Sequence, residues 1–219
     1  MDGIFLINKP RGISSFAVVD YLKKKFKLTK VGHAGTLDPL AEGLLIILVG
    51  KATKKFSYFQ SLEKEYLAEI TFGKETDTYD SEGKITFVFP QKFSLSEQKL
   101  KKILQNFSGE ILHKPPPYSA IKIKGKRAYQ LARKGKKVIL KTRRTKIFKT
   151  RLLKIKDKTA TILFVVSSGT YIRALAYDIG KATGLGAYLS GLKRTRIGSY
   201  LLSKAETPDK VSLKDLIPI

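Results

Sequence analysis

Gly32-His33-Ala34-Gly35-Thr36-Leu37-Asp38-Pro39-Leu40-Ala41-Glu42-Gly43 runs straight into Leu44-Leu45-Ile46-Ile47-Leu48-Val49, so a glycine-dense loop carrying a carboxylate feeds an unbroken apolar run. The apolar run reads as a buried strand. Glycine at 32, 35 and 43 permits backbone angles other residues avoid and lets a ligand approach the main chain. Pro39 stiffens the turn and biases Asp38 toward an extended conformation. Asp-Pro is also an ordinary turn pair. The chemistry is placed in this loop because of what the rest of the chain adds.

Upstream, Gly3 to Asn8 is a short strand pattern that ends at Lys9-Pro10-Arg11-Gly12. Ser14 or Ser15 then caps a helix with Val19, Leu22 and Phe26 on one face. Strand-like runs rich in Ile, Val, Phe and Thr follow at Tyr66 to Phe72, Ile85 to Phe89, Val138 to Leu140, Ile147 to Leu153 and Thr159 to Val166. Ser94 and Glu97 read as a capping box ahead of Leu100, Ile103, Leu104 and Phe107, helical spacing that stops at Gly109. A further helix carries Ile172, Leu175, Ala176 and Ile179 and ends near Gly184. This irregular alternation predicts an α+β fold with a mixed, mostly antiparallel sheet flanked by helices. The length suits one large domain or two small ones, and no internal repeat or low-complexity tract interrupts it.

Lys and Arg number 43 against 18 Asp and Glu, a formal charge of +25 on 219 residues. A polyanion is the natural partner. Nucleic acid fits better than a membrane surface, because basic side chains that neutralise phosphates release counterions and no long apolar span is visible. A heat-adapted, Lys-rich surface would bring matching Glu for ion pairs, and here the acids are too few. There are no cysteines, and the two histidines, His33 and His113, lie far apart, so no metal site is expected. The start Met1-Asp2-Gly3-Ile4 has no signal-peptide character, which makes the cytoplasm the expected location.

The charge is unevenly spread. From Ile111 through Lys156 there is no Asp or Glu, while residues 122 to 156 hold sixteen Lys or Arg. Lys122, Lys124, Lys126, Arg127, Arg133, Arg143 and Arg144 are candidate RNA-binding residues there. Tyr118, Tyr129 and Phe148 are interleaved with them and are candidates for stacking on exposed bases, unless they are core residues. Glu63-Lys64-Glu65-Tyr66 opens an alternating strand whose tyrosine is large enough to stack on a planar ring. The acidic stretch from Gly73 to Gly83 superficially suggests a calcium loop, but its spacing does not match one. Ser167-Ser168-Gly169-Thr170-Tyr171-Ile172-Arg173 sits where a strand hands over to a helix and can aim Tyr171 and Arg173 at a site.

Seven segments in register resemble the TruB-type tRNA pseudouridine synthases: Asn8 to Ser15, Gly32 to Gly43, Glu63 to Tyr66, Thr76 to Thr78, Pro116 to Ala120, Gly169 to Arg173 and Leu192 to Gly198. The resemblance spans essentially the whole chain. It implies the pseudouridine-synthase catalytic fold and isomerisation of uridine to pseudouridine at position 55 of the tRNA T-arm loop, without a metal, nucleotide or redox cofactor. By the same resemblance Asp38 is the catalytic carboxylate, and Arg173 pairs with it. Tyr66 stacks on the target uracil, Tyr171 lines the pocket, Leu192 is apolar wall and His33 wedges into the T-loop. Lys9 and Pro10 support the catalytic loop. Residues of about 118 to 150 correspond to a basic insertion that clamps the T-arm.

Residues 1 to 219 are thus expected to form a single catalytic domain, acting on the T-arm as a monomer. Many family members continue into a C-terminal PUA-type domain, whereas this chain stops at Ile219. Two other readings compete: a pseudouridine synthase acting on another RNA, and a non-catalytic RNA-binding or tRNA-folding module. Asp38, Tyr66, Tyr171 and Arg173 together argue against the module, because binding alone needs none of that set.

Overall fold

A computed structural model describes residues 1–119, 121–123, 125–135 and 138–219. The chain begins with strand β1 (Gly3–Lys9), helix α1 (Ser15–Lys25), β2 (Val31–His33) and β3 (Ala41–Val49). A 3-10 turn, Gly50–Lys55, leads to α2 (Phe56–Ser61), β4 (Lys64–Phe72), β5 (Lys74–Thr76) and β6 (Ile85–Val88). Next come α3 (Glu97–Gln105), β7 (Gly109–His113), β8 (Lys122–Ile123), β9 (Lys126–Arg127) and α4 (Ala128–Arg133). The chain closes with β10 (Arg143–Lys156), β11 (Thr159–Val166), α5 (Ile172–Thr183), β12 (Ala187–Ile197) and β13 (Tyr200–Leu201). Two compact units divide it: residues 1–67 with 192–219, and residues 68–191. Strands β4 and β12 each contribute residues to both.

In the first unit β1 pairs antiparallel with β3, which runs parallel to the end of β12. β3 is buried along nearly its whole length because both its faces are covered. On one, Phe5, Ile7, Leu45, Ile47 and Val49 pack on Val18, Val19 and Leu22 of α1. On the other, Ile4, Leu6, Leu44, Ile46 and Leu48 pack with Phe59 and Ile197. That explains why its sequence shows no polar alternation. Helix α1 starts where expected, with the Ser14 side chain accepting from the Ala17 N–H.

In the second unit the sheet runs β12, β4, β11, β10, β7, with β10 antiparallel to both β11 and β7. Helix α3 packs on β10 and α5. The mixed, mostly antiparallel sheet and its helices bear out the α+β expectation.

Three details correct the sequence reading. Val138 to Leu140 is not a strand: the ladder to β7 begins only at Arg143, and Leu140 is buried by packing alone. The cap of α3 is Ser96, not Ser94. Its hydroxyl accepts from the Lys99 N–H at 3.3 Å, and this register buries Leu100 and Leu104. Strands β2, β5, β7, β8, β9, β12 and β13 were not anticipated.

Candidate active site

Asp38 lies half-buried in the loop between β2 and β3, and that loop is fastened at successive points. Lys9, fully buried at the end of β1, donates from Nζ to the carbonyls of Pro10 (2.8 Å) and Ile13 (2.7 Å), which curls the 10–13 turn. Gly12, at φ +91°, then donates its N–H to the Pro39 carbonyl at 2.8 Å. Buried Ser15, the first residue of α1, donates to the Leu37 carbonyl at 2.9 Å and accepts from the Leu37 N–H at 2.8 Å. The Asp38 carbonyl accepts from Ala41 N–H at 3.0 Å. Backbone is thus pinned immediately before and after the carboxylate, and at Asp38 itself. Lys9 therefore holds the 10–13 turn through its ammonium, while Pro10 is exposed and contributes its carbonyl.

Arg194, on β12, supplies another fixed point and was assigned no role from the sequence. Its guanidinium is buried, donating from Nε to Leu44 O (2.7 Å) and from Nη2 to Gly35 O (3.0 Å). β12 approaches β3 so closely that a Cβ on Gly43, at φ +101°, would lie 2.4 Å from the Arg194 carbonyl oxygen. Only glycine fits. In the same register Leu192 stands opposite Ala41, at the end of the Asp38 loop. The guanidinium also sits 6.0 Å from the centroid of the buried Tyr66 ring, within cation–π range. Burial, and then the Arg194 charge, hold the His33 imidazole below its ordinary pKa. The same two causes bring Lys64 down to about 8, although its Nζ donates to Gln60 O and Leu62 O.

Tyr171 and Arg173 belong to the second unit, where Tyr171 caps α5 and Arg173 lies in its first turn. Arg173 is buried. It forms an ion pair with Asp80 at 3.2 Å and donates to the carbonyls of Thr78 (3.1 Å) and Tyr118 (3.0 Å). Asp80, also buried, accepts from Thr78 Oγ1 and the Glu82 N–H. Asp77 accepts from the Tyr118 hydroxyl at 3.3 Å. In the acidic loop that superficially suggested calcium, Asp77 and Asp80 are therefore spent on Tyr118, Arg173, Thr78 and local backbone, and Glu75 pairs with Lys181. Asp80 was legible only as an acid; its partner lies 93 residues away by number. Below Tyr171, a Thr145, Ser167 and Thr170 hydroxyl cluster ties the preceding turn to β10.

Of the basic candidates, Lys126, Arg127, Arg143 and Arg144 are exposed. Lys124 lies outside the described residues, as do the side chains of Lys122 and Arg133. Phe148 is 48% exposed, with Lys146 Nζ 5.4 Å from its ring centroid, while Tyr118 and Tyr129 are half-buried. Among the described residues no cluster of three or more His, Asp or Glu forms a metal site, and no helix is long and apolar enough to cross a membrane.

Comparison with known proteins matches this architecture. A tRNA pseudouridine synthase B of Aquifex aeolicus is 48% identical over 219 residues, covering 99% of this chain and 74% of its own. One from Parabacteroides distasonis is 44% identical, covering 95% of this chain and 91% of its own. Among solved structures, a Cbf5-Nop10-Gar1 complex superposes with a TM-score of 0.73 at 30% identity. An H/ACA RNP bound to a substrate RNA containing 2′-deoxyuridine does so with a TM-score of 0.70 at 28% identity. Each match covers 94% of this chain, which spans about half of those two chains, 52% and 50%. The family model for the TruB family pseudouridylate synthase N-terminal domain matches residues 23–172, and the chain therefore belongs to the TruB family of pseudouridylate synthases.

Proposed function

We propose that this protein isomerises uridine to pseudouridine at position 55 in the T-arm loop of tRNA, with Asp38 as the catalytic carboxylate. Membership of the family makes it a pseudouridine synthase, and the tRNA substrate accords with the names of its relatives. The observation that carries the residue assignment is the loop around Asp38, whose main chain is held at Gly35, Leu37 and Pro39 by three residues from outside the loop, Arg194, Ser15 and Gly12, besides its own turn hydrogen bond from Ala41 to Asp38. A surface turn has no need of so many anchors, whereas a reacting group must stay within a fraction of an ångström of its target.

The reaction breaks the C1′–N1 glycosidic bond, turns the base and forms a C1′–C5 bond. The proton on C5 is lost and N1 gains one, so composition is unchanged. An ionised Asp38 acts either as a nucleophile on base or sugar or as the base that removes a ribose proton. In this reading Arg173 also pairs with Asp38 and orients it, as the family resemblance implies. Tyr66 and Tyr171 receive the flipped uracil, Leu192 is apolar wall and His33 fills the gap left in the T-loop. Base–aromatic stacking returns ~1–3 kcal/mol per base, on the scale of the cost of extrusion. Lys9 and Pro10 hold the loop. The basic segment of about 118 to 150, including Lys122, Lys124, Lys126, Arg127, Arg133, Arg143 and Arg144, grips phosphates of the T-arm as an insertion in one catalytic domain. The reading is completed by a monomer working in the cytoplasm.

Carbodiimide mapping of pseudouridine in an unmodified tRNA transcript tests it. The expected result is a single new signal at the T-loop uridine with this protein and none with Asp38→Asn. Tight tRNA binding without a signal would favour a binding module or a different RNA substrate.

A further inference from the structure

His113 closes β7 and is 1% exposed, although no part of the reaction outlined above uses it. Its Nε2 lies 3.3 Å from the backbone nitrogen of Tyr171, which donates to it. Its ring is nearly parallel to the Tyr171 ring, at 21° with centroids 6.3 Å apart. Its Nδ1 is buried without a hydrogen-bond partner among the described residues, 3.8 Å from Asp178 Oδ2 on α5. Arg143 stands opposite His113 in the β7–β10 register with its side chain exposed, and Lys114 follows it in the chain.

We propose that His113 is a positioning residue for Tyr171, fixing it through the hydrogen bond that the Tyr171 N–H donates to Nε2. Tyr171 caps α5, where backbone N–H groups lack helical partners, and an acceptor from β7 satisfies one of them. An accepting Nε2 carries no proton, so the neutral ring carries it on Nδ1, on the side of the Asp178 carboxylate. Burial lowers the His113 pKa to about 4, which keeps the ring neutral at physiological pH. The same contact stacks a flat, uncharged ring beside Tyr171. The tyrosine is held by its amide and by its ring, and its freedom to swing from the reacting base is reduced. The inference deepens the proposed function and rests on Tyr171 contacting the uracil.

The test separates the acceptor from the shape. His113→Gln keeps an acceptor for the Tyr171 N–H; His113→Phe keeps a flat ring and loses the acceptor. In steady-state assays on tRNA, His113→Gln is expected within about twofold of the parent. His113→Phe is expected to lose kcat roughly tenfold with KM little changed, the factor that ~1.4 kcal/mol of misplacement gives. Turnover is normalised to tRNA-binding sites, which removes any unfolded fraction. Should His113→Phe not fold, His113→Met, unbranched and lacking a strong acceptor, replaces it. Parent-like kcat in His113→Phe or His113→Met overturns the proposal, as does equal loss in His113→Gln. Tyr171→Ala is assayed alongside. If it keeps full activity, the reading of Tyr171 fails first; if it is inactive while His113→Phe is not, only the role of His113 fails.

Discussion

Arg194 carries a charge into the first unit at 1% exposure, and its effect reaches Lys64. Lys64 is 5% exposed, and burial followed by the Arg194 charge lowers its pKa from 10.5 to about 8. Between those two values the unfolded chain holds a proton that the folded chain has released, so stability rises with pH across that window. The slope from this one group is at most about 1.4 kcal/mol per pH unit. Urea denaturation at several pH values from 8 to 10 is expected to show it in the parent and not in Lys64→Met. A parent with a flat profile would mean that the carbonyls of Gln60 and Leu62 fully compensate the burial. Asp38, Tyr66, Tyr171 and Arg173 were singled out as candidates because their motifs carry them. Arg194 was not, because Lys193-Arg194-Thr195-Arg196 has the composition of a solvated basic run. Nothing in a one-dimensional pattern marks which arginine finds two buried carbonyls. His113 was hidden in the same way, as a single histidine without a partner nearby in sequence.

Elements with a clean period were readable: β1, α1, β3, β4, β11 and α5, the last ended by Gly184 as expected. β12 was missed because Gly191 and the basic residues break its alternation, although Ala187, Leu189 and Gly191 all face inward. The failure at Val138 to Leu140 has the opposite cause, since three β-formers make no strand without a neighbour to pair with. The contact of α5 with β12 depends on one glycine. A Cβ on Gly180 would lie 2.2 Å from the Ala187 backbone nitrogen, which cannot move aside without shifting the strand. Gly184, at φ +76°, has open space around it and needs glycine only for its backbone angle. Gly184→Ala is therefore expected to cost about 1 kcal/mol and Gly180→Ala about 3 kcal/mol or more. In thermal unfolding, where each kcal/mol shifts Tm by roughly 2–4 °C at this size, Gly180→Ala should melt well below Gly184→Ala. Equal melting points would show that α5 and β12 part without cost.

At the scale of the molecule, the composition announced a polyanion partner and the motifs announced the family, but the acids explain why so much positive charge is left over. Many of the few carboxylates are committed to pairs: Asp80 with Arg173, Glu75 with Lys181, Glu63 with Arg196, Asp20 with Lys24. Strand β10, by contrast, presents Arg143, Arg144, Lys146, Lys149 and Arg151 to solvent with the Phe148 ring among them. A ladder of like charge is unfavourable for the free protein and is relieved when phosphates replace small anions. If about six phosphates are neutralised, log affinity for tRNA falls against log salt with a slope of roughly −5, taking the duplex coefficient. Replacing Arg143 and Arg144 together by Gln should bring the slope nearer zero by about two and weaken binding to any tRNA alike, because phosphate contacts carry no sequence information. Fluorescence anisotropy titrations over a range of salt concentrations measure both numbers. An unchanged slope in the double variant would move the phosphate contacts off β10, and a flat response in the parent would remove the basic segment from the RNA interface altogether.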